Sequence, residues 1–402
     1  MSDRASGDSA RRASLQPRFG LVRMRPRDVG EEDRGVSNLE LLFDLVFAAA
    51  VGISAGALHE LAAEGDILGG VGAYLMVFFA IWWAWMNVTW FGTSFDTDDW
   101  LYRVLVIAQM GGAITIAAGA RNGILDGDFT WVVIGYVLLR LCSVAQWIRV
   151  AYASPAYRVT AVRYAASITV VQVLWILRQP LLPAALQLPS FLAMVALELL
   201  VPVFAERARS TPWHPHHISE RYGAFTLILL GESVVGSTAA MLAAIENHGA
   251  LTYIGVAATA LTVLAGMWWF YFALPRDELV GGLRATMGFG YGHFIVFASA
   301  GAFSVGIENV LAGLEEHHGA TTTALAATLT VPVAAYFVAT WALILRRTLP
   351  ARASALVLVL TGLILLSTFT PWFWLITAAL VCGIVAVTEV VRVRMRAADA
   401  SS

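Results

Sequence analysis

From residue 37 onward, long apolar runs alternate with short polar turns. The runs fall near 37–59, 69–91, 101–120, 130–150, 160–178 and 189–206, then near 218–242, 251–273, 287–312, 322–345, 354–370 and 372–392. A bilayer crossing needs about 20 mostly apolar residues, and most of the runs qualify. In hydrocarbon each backbone N–H and C=O must be bonded inside its own segment, so such runs become helices. The pattern predicts an all-α integral membrane protein with about twelve transmembrane helices. The last two runs are separated only by Thr370 and Pro371, and one broken element is the alternative there.

The ends differ in character. Residues 1–36 are rich in Arg, Asp, Gly and Ser, hold no apolar run, and read as a disordered cytoplasmic tail. They lack the apolar stretch of a signal peptide. Residues 393–402 read as a short second cytoplasmic tail. Between them the chain divides into a first six-helix half, 37–206, and a second, 207–392. Trp82-Trp83 of the second run has a counterpart in Trp268-Trp269 of the eighth. Each pair is followed by a charged turn, an arginine (Arg103, Arg284) and a Gly/Ala-rich helix. Phe43 and Phe225 hold matching places in the first and seventh runs. Halves with an even number of spans insert in the same orientation. That is a 6+6 parallel repeat, as between the halves of major facilitator transporters.

Charge adds orientation. All 26 basic side chains are arginine. The first tail, alternate loops and the C-terminus carry all of them except Arg121, Arg140 and Arg178. Arg121 and Arg178 fall on the opposite side and Arg140 within a span. Basic residues concentrate in cytoplasmic loops, so both termini are expected in the cytoplasm of a multi-pass cell-membrane protein. The absence of lysine excludes a Schiff base to retinal or pyridoxal phosphate and a Walker-A phosphate loop. Only 13% of residues are charged against 58% hydrophobic, about half the charged share of a soluble domain. The net charge of −2 says nothing about partners. The lipid bilayer and a small solute are the expected partners, with no nucleic acid and no cofactor. Cys142 and Cys382 form no CxxC and give no disulfide framework.

Ionisable groups inside apolar runs are the candidate chemistry, because each costs several kcal/mol unless it meets a partner or a cavity. Glu40 and Asp44 lie four apart, on one face with Phe47 and Val51. Two carboxylates one turn apart repel unless a cation or proton lies between them, so the pair is either a proton or cation site or the partner of a structural arginine. Arg140 and Glu198 lie mid-span. A structural ion pair is the first reading and an anion clamp the second, since the guanidinium fork suits carboxylates and phosphates. Glu232, in Leu230-Gly231-Glu232-Ser233, has no basic residue within one helical turn and is the first choice for a titrating group. His293 follows Gly288, Gly290 and Gly292, and a hydrogen-bonded structural histidine is its commoner role. These glycines, like Gly52 and Gly56, suit close helix packing.

Two polar segments complete the set. Asp96, Asp98 and Asp99, followed by Arg103, either cap the third helix or bind a divalent cation, and the cap is preferred. His214, His216 and His217 with Glu220 lack regular ligand spacing and read as a solvated loop, which leaves the metal question open.

Three of these segments together resemble a known family. Glu40-Leu41-Leu42-Phe43-Asp44-Leu45-Val46-Phe47, the acidic turn Phe95–Asp99 with Arg103, and His217-Ile218-Ser219-Glu220-Arg221-Tyr222-Gly223 leading to Leu230-Gly231-Glu232-Ser233 resemble motifs of the bacterial low temperature requirement A proteins. The resemblance covers most of the chain after residue 37. It implies an integral membrane protein linked by name to growth in the cold, and places Asp44, Asp96, Asp99, Arg103, Glu220, Arg221 and Glu232 on motif positions. It implies no substrate. The leading expectation is a secondary, proton-coupled transporter of a small solute. The alternatives are a membrane-embedded lipid-modifying enzyme using the acidic turn and a structural or sensory membrane protein.

Overall fold

A computed structural model describes residues 20–28, 30, 35–248, 250–273, 283–315 and 323–399. Among these, every regular element is helical. The helices are α1 (Asn38–Ala63), α2 (Ile67–Phe95), α3 (Trp100–Leu125), α4 (Thr130–Ala153), α5 (Arg158–Leu181) and α6 (Ala184–Glu206). They continue as α7 (Pro215–His248), α8 (Ala250–Tyr271), α9 (Leu283–Glu315), α10 (Thr323–Thr340), α11 (Ala351–Ser367) and α12 (Phe373–Asp399). A π-turn, Trp341–Leu345, extends α10.

Ten helices are long and apolar enough to cross a membrane: α1 to α6, α8, α9, α10 with its π-turn, and α12. α11 has 17 residues, a length of about 26 Å. α7 has 34 residues, and its first turns carry His216, His217, Glu220 and Arg221. The Thr370–Pro371 punctuation does separate two helices, and α11 and α12 pack against each other. Burial is inverted relative to a soluble protein. Leu68, Leu261 and Leu366 are exposed, while Asp44, Arg140, Glu198, Arg221 and His293 are buried. That distribution fits a lipid-facing surface around a polar-studded interior.

The chain forms two compact units. The first takes the described residues of 1–32, 87–112 and 137–214. In it α5 packs on α6, and Trp147 stacks on Tyr164 with ring centroids 4.1 Å apart. Part of the stretch read as a disordered tail is held here. Val22 N donates to Asp99 Oδ2 (3.1 Å), Arg27 N to the Ser94 carbonyl (2.9 Å) and Arg23 Nε to the Ala153 carbonyl (2.7 Å). Met24 is buried. An apolar anchor and backbone bonds, neither visible as a long apolar run, fix residues that composition assigns to solvent. Residues 1–19 lie outside the described residues.

The second unit takes the described residues of 33–86, 113–136 and 215–402. The boundary between the expected halves at 206 and 207 is therefore not the boundary between compact units. Here α1, α7 and α9 pack on one another, α9 packs on α10, and α12 on α8 and α11. Gly301 of α9 lies so close to Val51 of α1 and to the Tyr74 hydroxyl that a Cβ there would collide. The Tyr74 hydroxyl donates to the Ala298 carbonyl at 3.1 Å.

Candidate functional site: a polar path along α1, α7 and α9

At the start of α1, Ser37 and Glu40 form a capping box. Glu40 N donates to Ser37 Oγ, and Ser37 N donates to Glu40 Oε2 at 2.9 Å. This local bond points the Glu40 carboxylate at α7. Arg221 Nη1 lies 2.9 Å from Glu40 Oε1, and His217 Nε2 lies 3.3 Å from the same oxygen. One turn further on, Asp44 Oδ1 accepts from Arg221 Nη2 (2.6 Å) and from the Trp85 indole N–H (2.7 Å). One guanidinium thus bridges both carboxylates, which is the structural-arginine alternative for this pair. Arg221, counted among loop cations by sequence, is fully buried. His217, placed by sequence in a solvated loop, is also buried, in the first turn of α7. Burial follows because that loop is already helix and turns its polar side to Glu40. Glu220 lies nearby, beside the backbone of Gly35.

Beyond this network comes a layer of aromatic rings. Trp85 stacks on Phe225 (4.4 Å, 17° between planes) and meets Tyr222 and Phe297 edge-on at 4.9 and 5.4 Å. His293 belongs to the same layer. Its Nδ1 is 2.7 Å from the Phe289 carbonyl and its Nε2 is 2.8 Å from the Tyr271 hydroxyl. A carbonyl only accepts, so Nδ1 carries the proton and Nε2 accepts from the tyrosine. Both ring nitrogens are satisfied.

On the far side of the layer is a cavity of about 540 Å³ between α1, α7 and α9. Glu232 of α7, Glu308 of α9 and His59 of α1 line it, with Gly52, Gly56, Ser233, Gly236 and Ser304. The glycines make room for the carboxylates. A Cβ on Gly52 would collide with the Glu232 carboxyl, and one on Gly236 would stand 3.4 Å from Glu308 Oε1. Nothing lies within 4 Å of where a Gly56 Cβ would be. Gly52 and Gly56, expected to bring a second helix close, instead admit a side chain and leave open space. Glu308 Oε2 is 3.6 Å from His59 Nδ1. Glu232 makes no hydrogen bond or ion pair with any other described residue. Sequence reasoning missed Glu308 and His59. Both sit near the ends of their apolar runs, where charged residues ordinarily reach water, and only the packing of three helices turns them inward.

The remaining candidates lie in the other unit. Arg140 Nη2 donates to Glu198 Oε2 at 2.8 Å, and Gln172 Nε2 donates to Glu198 Oε1 at 2.9 Å. Both charges are buried, an ion pair of the kind expected for them. In the acidic turn, Asp99 caps α3: its Oδ1 accepts from Tyr102 N at 2.8 Å, and its Oδ2 accepts from Arg149. Asp98 pairs bidentately with Arg103 at 2.8 and 2.7 Å. That hydrogen-bonded guanidinium holds the Asp98 carboxyl below the usual carboxylate range. Asp96 Oδ1 accepts from Asp98 N at 2.9 Å, and its Oδ2 lies 3.8 Å from Arg27 Nη1. Among the described residues, no three His, Cys, Asp or Glu side chains are grouped to hold a metal ion.

The path along α1 and α7 is built from the segments that carry the sequence resemblance, and that resemblance extends over nearly the whole chain. Residues 35–389 match the family described as bacterial low temperature requirement A protein (LtrA). The chain belongs to the LtrA family. The match takes in both the Glu40–Arg221–Asp44 network and the Glu232–Glu308 cavity, and excludes the first tail. This LtrA protein is also similar to an uncharacterized protein of Rhizobium meliloti (strain 1021), 27% identical over 244 residues, 58% of this chain and 57% of that one. The chain thus spans little more than half the length of this curated relative in the match. No solved structure matches.

Proposed function

We propose that this LtrA protein is a secondary transporter of a small solute in the cell membrane, coupled to protons, with Glu232 as the group that exchanges the proton. The observation that carries the reading is the cavity: two carboxylates from different helices, Glu232 and Glu308, share a space that glycines keep open. Carboxylates in a span are costly unless they serve a pathway. Glu232 is eleven residues from Arg221 on α7, about 16 Å along the axis, so the buried arginine does not neutralise it. In this reading the Trp85–Phe225–Phe297 layer closes the path on the side of Arg221, and the cavity opens at the opposite end of the bundle. A site open on one side and sealed on the other is one state of an alternating-access cycle.

In this reading α7 and α11 cross the membrane with the other ten helices, giving twelve spans, and the halves form a 6+6 parallel repeat. The arginine-rich loops and both termini face the cytoplasm, which puts the cavity toward the outside. The lipid-modifying enzyme has less support, since Asp99 is engaged as a helix cap and Asp98 by Arg103. The test is transport in proteoliposomes carrying an entrapped pH-sensitive dye. Solute addition should move protons with the wild type, and Glu232→Gln, which keeps shape and removes the charge change, should abolish that movement. A well-folded Glu232→Gln protein that moves protons with solute as wild type does would leave Glu232 a structural residue.

A further inference from the structure

We infer that the solute this cavity takes is a small cation bearing N–H donors, a primary or secondary alkylammonium, which competes with protons for Glu232 and Glu308. The inference rests on the transport reading for its direction of use, but its binding chemistry stands on the cavity alone.

Charge comes first. Among the described residues, two carboxylates line the space, the other ionisable side chain lining it is His59, and His59 faces Glu308 at 3.6 Å. No arginine is among the described lining residues. Arg121, near the same end of the bundle, is engaged bidentately by Glu60 at 2.9 and 2.7 Å. An anion would therefore enter beside two carboxyl groups without a guanidinium to receive it, whereas a cation offsets the charge that these groups take on as they give up their protons.

Size and walls narrow the class. A volume of about 540 Å³ is far more than a bare metal ion fills and lies in the range of small-molecule pockets. Val51, Leu229 and Leu311 supply apolar wall beside the carboxylates, a match for an alkyl chain with a charged head. Quaternary ammonium ions are usually held by the faces of Trp, Tyr or Phe, and none of these is among the described lining residues. The acceptors present ask instead for N–H donors. Ser304 adds an independent observation. It is 5% exposed, makes no hydrogen bond to a described residue, and its Oγ lies 3.5 Å from the Cβ position of Gly236, between the two carboxylates' helices. The hydroxyl lines the cavity, where an ammonium N–H would donate to it. Because cation and proton use the same oxygens, the two cannot occupy them together. Exchange of one for the other follows without a separate coupling device.

The experiment is calorimetric titration of the full-length protein in lipid nanodiscs with n-butylammonium, and with tetramethylammonium and butyrate as probes of the same scale. Butylammonium should bind with release of protons, read from the dependence of the heat on buffer. Tetramethylammonium and butyrate should bind at least about tenfold more weakly. Glu308→Gln should weaken butylammonium about tenfold, the loss of a charge-assisted contact, and Ser304→Ala about fivefold. If Glu308→Gln does not fold, Ser304→Ala and the three probes on the wild type still decide. No binding of butylammonium, equal binding of tetramethylammonium, tighter binding of butyrate, or folded variants that bind as wild type each overturn the inference. Proton-coupled flux of another solute without amine binding would refute the substrate class and keep the transporter. Amine binding without flux in proteoliposomes would keep the site and refute the transporter.

Discussion

Arg221→Met removes the guanidinium that Glu40 and Asp44 share and leaves a side chain of similar length. In the native protein the guanidinium is 2.9 Å from one carboxylate and 2.6 Å from the other, and it is buried. Breaking a buried ion pair from one side costs about 3–5 kcal/mol, because the remaining charge loses its compensation. Here two carboxylates one turn apart lose the guanidinium they share, with His217 and Ser37 left beside Glu40 and Trp85 beside Asp44, so the loss should reach the lower end of that range. Arg103→Ala provides the contrast. Its pair with Asp98 has side chains 57% and 61% exposed, and exposed pairs contribute about 0–1 kcal/mol. Both variants can be compared by unfolding in mixed micelles, followed by tryptophan fluorescence. Trp85, which donates to Asp44, reports on the site itself. A double-mutant cycle with Asp44→Asn should show a coupling of about 1 kcal/mol or more, since the partners touch. The reasoning is refuted if Arg221→Met costs no more than Arg103→Ala, or if the cycle is additive.

Other outcomes follow from the same structure. Asp99→Ala removes a helix cap together with the bond to Val22, and should cost about 1–2 kcal/mol while making residues 20–28 cleave faster under limited proteolysis. Gly52→Ala puts a methyl against the Glu232 carboxyl; the protein should stay folded at a cost of about 1–3 kcal/mol and lose solute-driven proton movement. For topology, a cysteine replacing Asp126 should react with an impermeant reagent in intact cells and one replacing Arg209 should not, and the reverse pattern would refute cytoplasmic termini.

Much of the fold is legible because one physical demand dominates it. Apolar runs of span length have to be helices, so the ten apolar helices lie where hydropathy places them, and even the thin Thr370–Pro371 break is a real turn. The Asp99 cap is local and could be read from Asp preceding a helix. What crosses from helix to helix is another matter. Arg221 reads as a loop cation because it stands near the start of its run, yet it pairs with a residue 177 positions away. Glu308 and His59 look like residues at a span end, and nothing in their own helices reveals that α7 brings Glu232 to the same cavity. Gly52 and Gly56 share the pattern of helix-packing glycines, and only the neighbouring side chain tells room for a carboxylate from room for a backbone.

The central claim is that Glu232 gains and loses a proton during turnover. Infrared difference spectroscopy on oriented membranes of the protein, with butylammonium perfused in and out, follows the carbonyl stretch that only a protonated carboxyl shows. A component of that band should fall when the amine binds and recover when it leaves, and it should be absent in Glu232→Gln while persisting in Glu198→Gln, whose carboxylate is tied to Arg140. A band that does not respond to the amine, or one that responds equally in folded Glu232→Gln, would contradict the account.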